Sequence, residues 1–126
     1  MGKMIRRLRH GFTLVEIMIV VLIIGVLLSI AVPNFIRARE GSRAKSCQSN
    51  LKQIQSAKEQ WAMDNKVGIS ATPTMSDLAG SGKYIRSTPV CPSNGTYTPN
   101  SMSTDPTCSV GTNGDSDTYN DHTLPS

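Results

Sequence analysis

The sequence predicts an α+β protein, in which one long N-terminal α-helix packs on a small, irregular, β-containing C-terminal unit. Residues 12–32 form an apolar run with a single acid, long enough as a helix to span roughly 30 Å. Residues 34–66 carry apolar side chains at the spacing of one helix face. After residue 66 the chain is rich in Ser, Thr, Gly, Pro and Asn, which indicates turns and short strands.

Length and charge limit the classes of protein that need to be considered. A chain of 126 residues makes one domain at most, and little of it remains for a core outside the apolar run. Of its 13 basic side chains, four lie in the first 11 residues, and the remaining nine equal the nine acids. The net charge of +4 is therefore a property of a short N-terminal segment and does not indicate a nucleic-acid surface.

A basic segment followed by an apolar run is typical of a membrane-directed N-terminus. An ordinary secretory signal peptide would end at a small-residue cleavage site after roughly 7 to 15 apolar residues, whereas this run ends at Pro33. A membrane-spanning helix fits better, with the basic end in the cytoplasm and lipid as a partner.

Glu16 is the feature that a simple membrane anchor does not explain. A carboxylate costs on the order of 2.5 to 3.5 kcal/mol at the centre of a span and less near its end. One interpretation is an acid at the edge of the bilayer. The other is an acid whose positive partner, such as a free α-amino group, belongs to a neighbouring copy of the chain.

The stretch RHGFTLVEIMIVVLIIGVLLSIAVP resembles the N-terminus of type IV pilins and type II secretion pseudopilins. The resemblance implies that a prepilin peptidase cuts after Gly11 and methylates the new amine of Phe12. It also implies that Glu16 pairs with this amine on an adjacent subunit as a helical homopolymer forms on an inner-membrane assembly platform. The chain would then span the inner membrane once before assembly and afterwards lie in a periplasmic or cell-surface filament.

Four segments follow from this interpretation: a cleaved basic leader (1–11), a transmembrane and assembly helix (12–33), its amphipathic continuation (34–66) and a C-terminal unit (67–126). Pro33 either ends the first helix or marks a bend or a melted stretch within one longer helix, and we favour the second because a helical pattern resumes after it. That pattern is an apolar stripe, at steps of three and four residues, made of Cys47, Leu51, Ile54, Ala57 and Trp61. We expect the stripe to pack against the C-terminal unit.

Base exceeds acid along residues 34–66, and the opposite holds in the C-terminal unit. We interpret the basic side chains as a solvated face near anionic lipid headgroups, and predict no nucleic-acid partner. Opposite charges along one subunit also suit side-by-side packing in a polymer.

The C-terminal unit contains signals for one short helix and two short strands. Thr74 followed by Asp77 is an N-cap pattern, and glycines at 80 and 82 would end the helix. Residues 95–98 and 107–110 are β-prone and bounded by turn residues, which predicts a small hairpin or irregular sheet. The same region resembles a "CP...G.Y......P.CS" pattern of some pseudopilin-like proteins.

The cysteines predict a disulfide. Outside the cytoplasm Cys91 and Cys108 can pair, and closing the 16 residues between them would contribute roughly 3 kcal/mol in the chain-entropy model. A bridge from Cys47 to either one is the alternative, although Cys47 suits the apolar stripe as a free thiol. We expect no zinc site, because the sequence has no second closely spaced Cys or His pair and His122 stands alone.

Residues 111–122 are rich in oxygen ligands, including Asp115, Asp117 and Asp121, which could bind calcium. Their order does not match an EF-hand loop, and a solvated polar loop is the alternative; otherwise no cofactor is expected. The sequence contains no phosphate-binding loop and no recognisable catalytic motif, so we expect a filament subunit and not an enzyme. A monomeric single-pass membrane-anchored binding protein is the alternative, and an intact Met1 in the mature chain would favour it.

Overall fold

The structure, a computed structural model, describes residue 2 and residues 11–112, 114 and 116–125. It divides into two compact units, one ending at Ile36 and the other beginning at Arg37. The elements along the chain are helices α1 (Leu14–Asn65) and α2 (Met75–Leu78), then strands β1 (Tyr97–Thr98) and β2 (Thr107–Cys108). The predicted α+β class is confirmed.

In the first unit, α1 exposes its apolar side chains all round. The large hydrophobic side chains from Phe12 to Ile36 are between 49 and 87% exposed. By length and composition this part of α1 can cross a membrane, and none of its most apolar stretch is buried. A helix that is apolar on every face needs an apolar environment, which a bilayer or neighbouring helices can supply.

In the second unit, one face of α1 supplies much of the core. Cys47, Leu51, Ile54 and Ala57 are buried as the stripe predicted, and Trp61 is partly buried against the same cluster. Full burial of a side chain such as Leu51 or Ile54 contributes about 1.5 to 3 kcal/mol. The C-terminal part of the chain completes this core with Leu78, Ala79, Ile85, Cys91, Tyr97 and Cys108.

The short helix α2 is capped as the sequence predicts. The backbone N–H of Thr74 donates to Asp77 Oδ2 over 2.8 Å. Hydrogen bonds from Thr74 hold the pKa of the Asp77 carboxyl below its ordinary value, the largest cause being the bond from the Thr74 side chain. After α2 the chain turns back so that Ala79 and Ile85 form a parallel bridge, which brings Leu78 and Ile85 into the core.

The two strands form an antiparallel pair with Tyr97 opposite Cys108 and Thr98 opposite Thr107. Each strand is two residues long and lies within the β-prone piece that predicted it. A pair this short is not stable in isolation, so its position depends on packing against α1. Asn50 on α1 helps to fix it, donating through Nδ2 to Tyr97 Oη over 3.0 Å and to the carbonyl of Val90 over 3.1 Å.

Lys58 is one of the basic side chains expected on a solvated face of the helix, and for this residue the expectation is wrong, because Lys58 is fully buried. Its Nζ donates to the carbonyl oxygens of Ser101 (2.8 Å) and Thr104 (2.6 Å). Burial lowers the pKa of Lys58, although the nearby Asp105 carboxylate opposes the shift. The ammonium group therefore joins α1 to a turn whose carbonyls it satisfies.

We expect Lys58→Met to lower the free energy of unfolding by about 2 kcal/mol, because the apolar stem is kept while two carbonyls lose their donor. Lys52→Met is the matched control: Lys52 is exposed on the same helix, and its loss should change stability by less than about 0.5 kcal/mol. Denaturant unfolding of the full chain in detergent would measure both. Equal midpoints for the two variants would contradict the role given to Lys58.

Candidate processing and assembly site

The predicted cleavage junction lies just before α1 and is open to its surroundings. Gly11 and Phe12 are exposed, and a Cβ added at Gly11 would meet no atom within 4 Å. Among the residues that the structure describes, none blocks a larger side chain at position 11. Cleavage after Gly11 stays a prediction.

Glu16 has a local partner at the start of the helix. The backbone N–H of Thr13 donates to Glu16 Oε2 over 2.8 Å, and the N–H of Glu16 donates back to Thr13 Oγ1 over 3.3 Å. This reciprocal pair is a capping box, and it satisfies two amide groups that a helix start otherwise leaves unpaired. The cap was not predicted, although the Thr-x-x-Glu spacing is the ordinary sequence signal for it.

The capping box places the carboxylate where it can also receive a cation. It fixes Glu16 in the first turn of α1, beside the positive end of the helix dipole. A carboxylate held there, within an apolar segment, can accept a charged amine from another chain without first losing its local bonds. The geometry therefore gives Glu16 a structural role at the start of α1, and its pairing with another chain stays a prediction.

Pro33 lies inside α1 and does not end it. Because proline has no N–H, the carbonyl of Ser29 one turn earlier receives no helical hydrogen bond. The Ser29 hydroxyl itself donates to the carbonyl of Val26 over 2.7 Å. The helix is thus continuous through Pro33 but lacks one of its regular bonds.

The three cysteines come together in the second unit, and His122 joins them. Cys91 Sγ lies 3.7 Å from Cys108 Sγ and 3.6 Å from His122 Nδ1, and Cys47 completes the group. All four side chains are buried. The expectation that His122 stands alone is wrong, whereas the Cys91–Cys108 disulfide stays a prediction.

The position of His122 follows from the hairpin and not from any local motif. Strand β2 ends at Cys108, and three residues later the carbonyl of Gly111 accepts a 2.9 Å bond from the N–H of His122. The Nε2 of the Gln48 side chain on α1 also donates to the carbonyl of Asp121 over 2.9 Å. The last part of the chain therefore lies against the cysteines, and the spacing of residues in the sequence does not predict this contact.

The acidic loop gives less support to a metal site. Asp115 lies outside the described residues. Among the residues that the structure describes, Asp117 and Asp121 are not part of a group of three or more converging ligands. Calcium at this loop stays a prediction.

A comparison with known protein families finds a match to the N-terminal part of the chain. A family model described as "Prokaryotic N-terminal methylation motif" matches residues 6–32. The matched stretch contains the junction between Gly11 and Phe12, the capping box at Glu16 and most of the apolar part of α1. No solved structure matches the chain significantly.

Curated relatives extend the match beyond that motif. The chain is 33% identical to the competence protein ComGC of Bacillus subtilis (strain 168), over 65% of this chain and 80% of that protein. It is 30% identical to the type II secretion system core protein G of Klebsiella michiganensis, over 73% of each chain. With the type IV major pilin protein PilA of Myxococcus xanthus (strain DK1622) it is 48% identical, over 40% of this chain and only 23% of that protein. On this motif and these relatives, the chain belongs to the family of type IV pilins and type II secretion pseudopilins.

Proposed function

We propose that the chain is a structural subunit of a type IV pilus-like or type II secretion pseudopilus filament. A prepilin peptidase removes residues 1–11 and methylates Phe12, and the mature chain then polymerises through the N-terminal part of α1. The proposal gives the chain no enzymatic activity of its own and no nucleic-acid partner. Its partners are further copies of itself, the peptidase, an inner-membrane assembly platform and membrane lipid.

The observation that carries this proposal is the exposed apolar part of α1 with one acid at its start. Residues 14–36 leave their large apolar side chains uncovered, so they require lipid or other apolar helices around them. A helix that only anchors the chain in a membrane needs apolar residues and no acid. Glu16 adds a site where a charged amine would be bound strongly, because charge pairing strengthens as water is excluded.

The N-terminus that the proposal requires is a free amine four residues before Glu16 in the chain. Cleavage after Gly11 would create it on Phe12 and would also remove the basic segment that keeps the N-terminus in the cytoplasm. In a filament, the amine of one subunit would meet the carboxylate of another, and the pair would set the axial register. The same charges in a monomer within lipid would be unfavourable, which supports assembly over a monomeric anchor.

Mass spectrometry of the chain purified from membranes tests the proposal directly. We expect the mature protein to begin with N-methylated Phe12 and to be recovered partly in sheared surface or periplasmic filaments visible by electron microscopy. An intact Met1, or cleavage at another position, would contradict the proposal. The unprocessed form from cells without the peptidase is the control for the mass assignment.

A further inference from the structure

We propose that Cys47, Cys91, Cys108 and His122 form a structural zinc site that joins α1 to the C-terminal part of the chain. The site goes beyond the filament function and does not depend on it. It would give the otherwise unassigned Cys47 and His122 a common role. It would also replace the predicted disulfide, because a thiol bound to zinc cannot be oxidised to a bridge at the same time.

Two of the distances between ligand atoms match a tetrahedral zinc centre, and the four ligand atoms are close enough to converge on one ion. Zinc bonds of about 2.3 Å to sulfur place two sulfur ligands about 3.8 Å apart, and a bond of about 2.0 to 2.1 Å to nitrogen places a histidine nitrogen about 3.6 Å from each sulfur. The structure has 3.7 Å between Cys91 Sγ and Cys108 Sγ, and 3.6 Å between Cys91 Sγ and His122 Nδ1. All four ligand atoms lie within 4.8 Å of one another.

The backbone after Cys91 passes close to two of the sulfur atoms. The carbonyl of Cys91 accepts a 3.1 Å bond from the N–H of Asn94, and Asn94 has a φ of 60°, so the chain turns tightly back toward the sulfur. A Cβ on Gly95 would lie 2.5 Å from Cys108 Sγ and 3.2 Å from Cys91 Sγ. Only glycine permits this approach of the backbone to two sulfur atoms.

The other two proposed ligands are buried as well. Cys47 on α1 is fully buried, and the His122 side chain is 3% exposed. A coordinated zinc ion removes the proton from a thiol outright, so the buried cysteines can bind it as thiolates.

The chemical nature of the four ligands favours zinc over other metal ions. Three thiolates and one imidazole, closed and buried, are the ligands of structural zinc and do not suit calcium or magnesium, which prefer oxygen. Each ligand comes from a different place in the fold: the helix α1, the turn at residues 91–95, strand β2 and the segment returning after Gly111. One ion would therefore link four segments that have little regular secondary structure to hold them together.

The first test measures the metal in the full chain, isolated from its native membranes in detergent without reductant or chelator. We expect one zinc per chain by elemental analysis, and an X-ray absorption spectrum that fits three sulfur ligands and one nitrogen. Exchange with Co²⁺ should give the intense thiolate charge-transfer bands of a tetrahedral site. All three cysteines should resist alkylation until a strong chelator removes the metal.

Variants separate the zinc site from the disulfide. We expect Cys47→Ser and His122→Asn each to weaken zinc binding by more than the roughly 10- to 100-fold that loss of an outer-shell partner costs, whereas neither residue belongs to a Cys91–Cys108 bridge. Thr123→Ala is the matched control, because it changes the neighbouring side chain of the same loop without removing a proposed ligand. It should retain one zinc per chain.

Several results would overturn the proposal. Peptide mapping that finds Cys91 joined to Cys108 in a zinc-free chain would establish the disulfide instead. Iron or copper in place of zinc would also refute it, as would zinc binding by His122→Asn that is as tight as binding by the unaltered chain. If Cys47→Ser fails to fold, the absorption and cobalt spectra of the unaltered chain still decide the ligand set.

Discussion

Gly11→Val should keep the leader on the chain and reduce the amount of mature protein by about a hundredfold or more, the loss expected when a reacting bond is misplaced by about an ångström. Within the described part of the chain nothing requires glycine here, since a Cβ at this position meets no atom within 4 Å. The cost therefore arises in the peptidase, which has to bring its catalytic groups to the carbonyl of residue 11. Mass spectrometry of membrane fractions would quantify precursor and mature forms, and filaments should be absent.

Gly25→Val is the matched control for this prediction. A Cβ added at Gly25 also meets nothing within 4 Å, but this residue lies well inside α1 and away from the junction. The leader of this variant should be removed at the normal rate, whatever the effect on assembly. Normal maturation of Gly11→Val would show that glycine is not needed at the junction and would remove the basis for placing cleavage there.

Glu16→Gln should be cleaved and methylated normally but should fail to assemble. Removing one partner of a buried ion pair costs about 3 to 5 kcal/mol, which is about a hundredfold or more in the equilibrium for adding a subunit. The capping box also uses Glu16, and glutamine can take the same place in such a box. The Gln variant therefore removes the charge while retaining the local hydrogen bond to Thr13.

Glu16→Leu completes the experiment by removing both the charge and the cap. If charge pairing drives assembly, the Gln and Leu variants should give similarly low filament yields, as measured by microscopy and by the mass of sheared material. A wild-type yield from Glu16→Gln with a low yield from Glu16→Leu would mean that the local cap, and not an intersubunit ion pair, is what assembly needs. N-terminal methylation in each variant is the control for correct processing.

Much of this fold is visible in the sequence because it depends on local patterns. The apolar run, the stripe from Cys47 to Trp61 and the cap of α2 at Thr74 each involve residues within a few positions of one another. The two strands were located but their length was overestimated, since β-prone residues such as Val110 extend beyond the two-residue pairing that the structure has. Local propensity does not specify where pairing stops.

The features that the sequence does not predict depend on contacts between residues that lie far apart in the sequence. In the sequence, Lys58 looks like one more charged residue on the solvent-exposed side of a helix. It is buried because the distant residues 101 and 104 pack against α1 and their carbonyl oxygens accept hydrogen bonds from its Nζ. His122 has no nearby cysteine in the sequence, and it reaches Cys91 because the segment after Gly111 folds back. Spacing rules for metal sites fail when each ligand lies on a separate segment.

Because α1 supplies much of the core, it also determines the order in which the second unit folds. The C-terminal part has two strands of two residues and one helix of four, too little to form before it has a surface to pack on. The helical segment from Ala44 to Lys58 makes local contacts and can form early, whereas the loops at 91–125 close only by long-range contacts, which are slow. We therefore expect folding to run from helix to loops, the same direction in which the chain is synthesised. A chain that stops before Cys91 would leave the stripe uncovered and prone to aggregate.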